Sequence, residues 1–165
     1  MPWSWQGPEK YKNQMKSFIV RNAELQDIES LVRLLEQLFS IEKDFEFNPE
    51  THRMGLRLML EGCNRHRTVK VAVCNDKIVG MCTAQTRIST ARGSITAVLE
   101  DLVVDADYRH QGIGQGLLSE ISQWAQKRGI GHLQLLADKD NSPALTFYKH
   151  NEWQETNLVC LTRSV

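Results

Sequence analysis

Apolar side chains along this chain recur at helical spacing in some stretches and at strand spacing in others. Phe18-Ile19-Val20-Arg21 reads as a short strand, and Ile28, Leu31, Leu35 and Leu38 then mark one helix face at i, i+3, i+7 and i+10. A loop rich in acids and phenylalanine, Ile41 to Pro49, leads to a second helix carrying Met54, Leu58 and Met59 and closing near Gly62. Val69 to Cys74, Ile78 to Ile88 and Ile95 to Val104 form a three-stranded meander, turned at Asn75-Asp76-Lys77 and again at Thr90 to Gly93. A third helix from Gly114 buries Leu117, Leu118, Ile121, Trp124 and Ala125. It stops at Lys127-Arg128-Gly129, where basic residues followed by glycine are common end signals. His132 to Ala137 is a further strand, lying parallel to the one before that helix. Ser142 as N-cap, with Pro143 first in the helix, opens a short last helix. Trp153 to Arg163 reads as extended. The order β-α-α-β-β-β-α-β-α-β describes one α/β domain over residues 17–165, preceded by a polar and aromatic extension at residues 1–16.

Composition narrows the class more than the chemistry. The chain has 165 residues, 41% apolar and 24% charged, with a formal net charge of zero. That is an ordinary globular balance, and it points to neither nucleic acid nor an anionic membrane as partner. No stretch of 18 consecutive apolar residues occurs, and the first residues lack the apolar run of a signal peptide, so a cytoplasmic location is expected. The four cysteines (Cys63, Cys74, Cys82 and Cys160) form no CxxC pair and no pattern with the five histidines. They read as reduced thiols, and no metal is expected.

One stretch asks for more than packing. In Leu99 to Leu118, LEDLVVDADYRHQGIGQGLL, a strand meets three glycines at every second residue, Gly112, Gly114 and Gly116. A glycine within a helix costs about 0.5–1 kcal/mol relative to alanine. A strand end meeting a helix start offers unpaired N–H groups and the positive end of the helix dipole, an anion site. Glycine removes the Cβ atoms that would hold a phosphate away, and Arg109 adds a cation. The spacing is neither that of a P-loop nor the dinucleotide-binding GxGxxG.

Arg109-x-x-Gly112-x-Gly114 resembles the acetyl-CoA signature R/Q-x-x-G-x-G/A of the GCN5-related N-acetyltransferases. Asn141-x-x-Ala144-x-x-Phe147-Tyr148 resembles the second signature of that family, N-x-x-A-x-x-F-Y. The likeness covers roughly residues 17–163, and Leu99-Glu100-Asp101 together with Asn141 to Tyr148 look most like the diamine and polyamine acetyltransferases. It implies a mixed, mainly antiparallel twisted sheet flanked by helices, and acetyl-CoA as co-substrate. It implies transfer of an acetyl group to a primary amine of a small molecule, directly in a ternary complex. A protein or peptide amine as acceptor, or an acyl-CoA-binding sensor without turnover, are the other readings. A homodimer is common in the family.

The resemblance also implies roles. Backbone amides of His110, Gln111, Gly112, Ile113, Gly114 and Gln115 would grip the pyrophosphate of coenzyme A beside Arg109. Leu102, Val103 and Val104 would pair through their backbones with the pantetheine arm at a splayed strand, with Asn141 and Ala144 also near the cofactor. Glu100 would act as general base through water and Tyr148 as general acid toward the departing thiolate. Adjacent strand residues point to opposite faces, so at most one of Glu100 and Asp101 should easily face the reaction centre, and Asp101 reads as a structural or solvated acid. Glu42 and Asp44 would contact a cationic acceptor. Two departures stand out: Asn151-Glu152-Trp153 replaces the Gly-Phe that usually closes the last helix, and the tail beyond is short.

Overall fold

The computed structural model describes residues 17–42, 44–61 and 65–165, so the extension at 1–16, Gly62 and Cys63 lie outside the described residues. Five strands stand side by side in chain order: β1 (Ile19–Asn22), β2 (Arg67–Cys74), β3 (Lys77–Ser89), β4 (Ser94–Val104) and β5 (Leu133–Leu135). The first four pair antiparallel and β5 runs parallel to β4. Helices α1 (Ile28–Phe39) and α2 (Pro49–Leu60) follow β1, α3 (Ile113–Gln126) links β4 to β5, and α4 (Ser142–His150) follows β5.

The expected meander forms. Asn75 and Asp76 both take positive φ, +49° and +60°, between the paired Cys74 and Lys77, a two-residue turn whose twist suits a hairpin. Alternation along the strands feeds two cores. Ala72, Cys74, Ala84, Ala97 and Leu99 pack under the predicted stripe of α3, while Val69, Val71, Met81 and Val103 pack under Leu31, Leu34 and Leu35 of α1.

α2 departs from the expected stripe. Met54 and Leu58 are 66% and 60% exposed, and Leu56 at 3% is the residue that reaches the core, with Met59 and Leu60 partly buried beside it. The helix rests on its neighbours along a narrow face, and its other side borders an open cleft that Leu58 lines.

The last part of the chain also differs. β5 is only three residues long, because its ladder with β4 ends at the Leu99–Leu135 pair. No strand follows α4: Leu158, Val159 and Leu161 are all at least 80% exposed, so this stretch packs against nothing that would hold it as a strand. The expected final strand at Trp153–Arg163 is therefore not part of the sheet.

The start of α4 shifts by one residue from expectation. Asn141, not Ser142, is the N-cap, its Oδ1 accepting from the N–H of Ala144 at 3.2 Å. At the other end Asn151 has φ −101°, and it is Glu152, at φ +66°, that turns left-handed so that the N–H of Trp153 reaches the carbonyl of Tyr148 at 3.1 Å. A side chain with a Cβ is strained there. Glu152→Gly is expected to stabilise the fold by about 0.5–1 kcal/mol, raising the melting temperature by roughly 2–4 °C in a calorimetric scan.

Candidate active site

Beyond β4 the chain makes one tight turn, capped by the Asp105 carboxylate on the N–H of Asp107 at 3.1 Å. Arg109 Nε donates to the carbonyl of Val104 at 3.1 Å, tying the loop back to the strand end. His110 (φ +61°) and Gly112 (φ +79°) then lead left-handed into α3. No side chain caps this helix, and its first internal bond runs from the N–H of Gly116 to the carbonyl of Gly112. The N–H groups of Ile113, Gly114 and Gln115 are left facing outward as first-turn donors. A Cβ on Gly112 would meet nothing within 4 Å, so the space before the helix is open.

The other two glycines have packing reasons as well. A Cβ on Gly114 would stand 3.1 Å from the ring of Phe147 in α4, and one on Gly116 would stand 2.8 Å from the ring of Phe18 before β1. Three glycines at alternate positions thus serve a left-handed turn, the seat of α4 and the seat of the N-terminal strand. Only the first two border the candidate anion cradle.

The register of β3 with β4 holds the main correction to strict alternation. Cys82 pairs with Leu102 and Ala84 with Leu99, so the single residue Thr83 opposes both Glu100 and Asp101. This is a β-bulge in β4, and it turns two adjacent side chains toward one side. Both carboxylates line a cleft of about 460 Å³ whose other walls include Phe39, His52, Leu56 and Thr83. Strict alternation would have turned only one of them to this cleft. The bulge also carries β4 away from β5: from Glu100 to Val104 the strand has no ladder partner on that edge, the splay anticipated at Leu102, Val103 and Val104.

The two carboxylates have different surroundings. Glu100 is exposed and accepts from Gln85 Nε2 at 3.2 Å. Asp101 accepts from the hydroxyl of buried Thr83 at 2.8 Å, and its own N–H donates to that oxygen at 3.1 Å. Burial, with the charge of Glu100, lifts the Asp101 carboxyl above its usual range against the opposing Thr83 bond. Glu42 is lifted too, by burial and then by the charges of Asp101, Asp138 and Asp44. Tyr148 on α4 has its phenol raised by burial, with Cys82 and Glu42 adding to it. It packs edge-on against Phe147 and Trp153. Cys82 is fully buried beside Asp101, which pushes its thiol well up and leaves it an inert neighbour.

The charges of Asp101, Asp138 and Asp44 thus bear on Glu42, and that of Glu42 bears on Tyr148. Arg109 to Gln115 lies beyond the far end of β4. Thr83 and Asp138 were not anticipated. Thr83 carries no signal in sequence because its role depends on which residues oppose it across β3 and β4.

The sequence model of the Acetyltransferase (GNAT) family matches residues 32–152, and this chain belongs to that family. An uncharacterized N-acetyltransferase of Methanocaldococcus jannaschii is 26% identical over 150 residues, 89% of this chain and 65% of the relative. The ribosomal protein bS18-alanine N-acetyltransferase of Escherichia coli K12 is 32% identical over 62 residues, 38% of this chain and 42% of the relative. The chain thus spans less than two thirds of the length of these curated relatives. Among solved structures, an aminoglycoside acetyltransferase from an uncultured soil metagenomic sample superposes with a TM-score of 0.73 over 90% of this chain and 96% of that one. It is 24% identical in its complex with sisomicin and 27% in its complex with trehalose.

Proposed function

We propose that the protein is an acetyl-CoA-dependent N-acetyltransferase that moves the acetyl group to a primary amine of a small molecule, directly in a ternary complex. The observation that carries this reading is the bulge opposite Thr83, which opens the β4–β5 edge and turns two carboxylates into one cleft. The residues present fit the co-substrate. The free edge from Glu100 to Val104 has the donors and acceptors to pair with an amide-bearing arm, and the uncapped start of α3 suits a pyrophosphate. Arg109, His110, Gln111, Gly112, Ile113, Gly114 and Gln115 would hold that pyrophosphate, and Leu102, Val103 and Val104 the arm. Asn141 spends its Oδ1 on the α4 cap, so its amide nitrogen and the nearby Ala144 are what remain for a ligand.

Acetyl-CoA, when bound, supplies the activated acetyl thioester. The amine is an ammonium ion at neutral pH and cannot attack until a proton leaves, which the carboxylates at Glu100 and Asp101 are placed to accept. The N–H of Leu102 is a candidate donor to the thioester oxygen as charge develops there. Tyr148, held neutral by its burial, donates to the departing thiolate. Glu42 and Asp44, which follow α1, would favour a cationic acceptor. A protein N-terminus as acceptor is the second reading, favoured by the bS18-alanine N-acetyltransferase match. No metal step is invoked, the location is proposed as cytoplasmic, and a homodimer remains part of the proposal.

Thiol release from acetyl-CoA, followed across small amines, amino acids and peptides, tests the reading. Release that depends on a small amine is the expected result, and release with peptides alone would favour the second reading. Acetyl-CoA binding without release to any acceptor would leave a sensor, and no binding at all would remove the cradle.

A further inference from the structure

We propose that Asp101, held by Thr83, is the carboxylate that takes the proton from the acceptor amine, and that Glu100 only adds charge nearby. The inference rests on the acetyltransfer reading above and deepens it. The bulge places two residues of β4 opposite Thr83, and the N–H of Asp101 turns to the Thr83 side chain. Thr83 Oγ1 accepts from the Asp101 N–H at 3.1 Å and donates to Oδ2 at 2.8 Å. One buried hydroxyl therefore fixes both the bulge and the rotamer of the carboxylate. Among the described residues no hydrogen bond is made to the second oxygen, Oδ1, which stays available.

The surroundings choose between the two acids. Asp101 lies on the cleft wall with one carboxylate oxygen fixed by the buried Thr83 hydroxyl. Glu100 is exposed and turned to Gln85. A base works best when held in one geometry, and the Thr83 hydrogen bond holds Asp101 while Glu100 stands in solvent. Of the two protons an ammonium loses on becoming an amide, the first passes to Asp101 and on to solvent. The second makes good the proton that Tyr148 gives to the departing thiolate.

A pH signature follows. Asp101 is faced by Cys82 and Thr83 from β3, Glu100 from its own strand and Glu42 after α1, with His52 and Arg67 on the same cleft. Burial holds its carboxyl above the usual range, while the Thr83 hydrogen bond favours the ionised form and pulls it down. Activity that needs ionised Asp101 should fall toward acid pH from a point above the ordinary carboxylate range. Removing the Thr83 hydroxyl should move that fall to higher pH.

The test is kcat/KM against pH for acetyl transfer to butylamine, 1,4-diaminobutane and an alanine-initiated peptide. It is paired with a ¹³C NMR titration of the Asp101 carboxyl in the same proteins. Asp101→Asn is expected to lose about 100-fold or more and its acid-side fall. Glu100→Gln is expected to lose less than about tenfold and to keep that fall. Thr83→Val should shift both the fall and the NMR titration upward, and Thr83→Ser should restore them. Melting curves confirm folding; if Asp101→Asn does not fold, the two Thr83 variants decide. The proposal is overturned if Glu100→Gln abolishes the acid-side fall while Asp101→Asn keeps it, or if the Asp101 titration ignores Thr83→Val. Absence of turnover with every acceptor would instead overturn the acetyltransfer reading, with the titration still deciding the Thr83–Asp101 coupling.

Discussion

Tyr148→Phe is expected to lower acceptor-dependent thiol release by about 10²-fold or more while leaving acetyl-CoA affinity within about twofold. The substitution removes one oxygen and keeps the ring that packs against Phe147 and Trp153, so α4 and its contacts should survive. Burial raises the phenol above its usual range, and the carboxylate of Glu42 adds to this by resisting a second negative charge. Tyr148 therefore keeps its proton at every pH where activity would be assayed, and donates it only once a strong base, the leaving thiolate, is present. In wild type the pH profile should show no alkaline fall from this group up to about pH 10, the ordinary pKa of a phenol. Steady-state rates and a direct binding isotherm for both proteins check the two halves. Unchanged turnover in Tyr148→Phe would assign the residue to packing alone.

Gly114→Asp should weaken acetyl-CoA binding by about 30-fold or more, roughly 2 kcal/mol, from two additive causes. The new Cβ would enter 3.1 Å from the Phe147 ring and push α4 off α3. The carboxylate would also place negative charge in the first turn of an uncapped helix, where the proposed pyrophosphate needs the N–H groups. Gly114→Ala separates the causes, since it keeps the contact and omits the charge. Titration calorimetry of wild type and the two variants should rank them in that order. Equal affinity in all three would move the cofactor away from this helix start.

How much was legible differs by element. The α3 stripe of Leu117, Leu118, Ile121, Trp124 and Ala125 is buried as its spacing demands, because a long helix with one apolar face has only one way to lie on a sheet. The Asn75-Asp76 hairpin is equally local, as its two residue types tolerate positive φ. α2 was misread at Met54 and Leu58, since a helix beside an open cleft can leave apolar side chains on the outer side of its stripe. The last strand was misread because an extended local pattern does not show whether a sheet edge or a core will receive it, and here Leu158, Val159 and Leu161 stay exposed.

Within the candidate site the motif glycines and Tyr148 were visible as residues. Their reasons were only partly so: Phe147 against Gly114 and Phe18 against Gly116 are contacts between segments far apart in the chain. The bulge was not visible at all. Alternation along β4 says that Glu100 and Asp101 point apart, and only the pairing register with β3 shows that Thr83 faces both.

By itself, then, the sequence determined the element order up to α4, the buried stripe of α3 and its glycine-rich start, because propensity, periodicity and turn chemistry act over a few neighbouring residues. The tertiary structure decided that Thr83 faces both carboxylates, where β4 parts from β5 and what each glycine clears. Those depend on strand register and on packing between distant segments, and no local pattern encodes either.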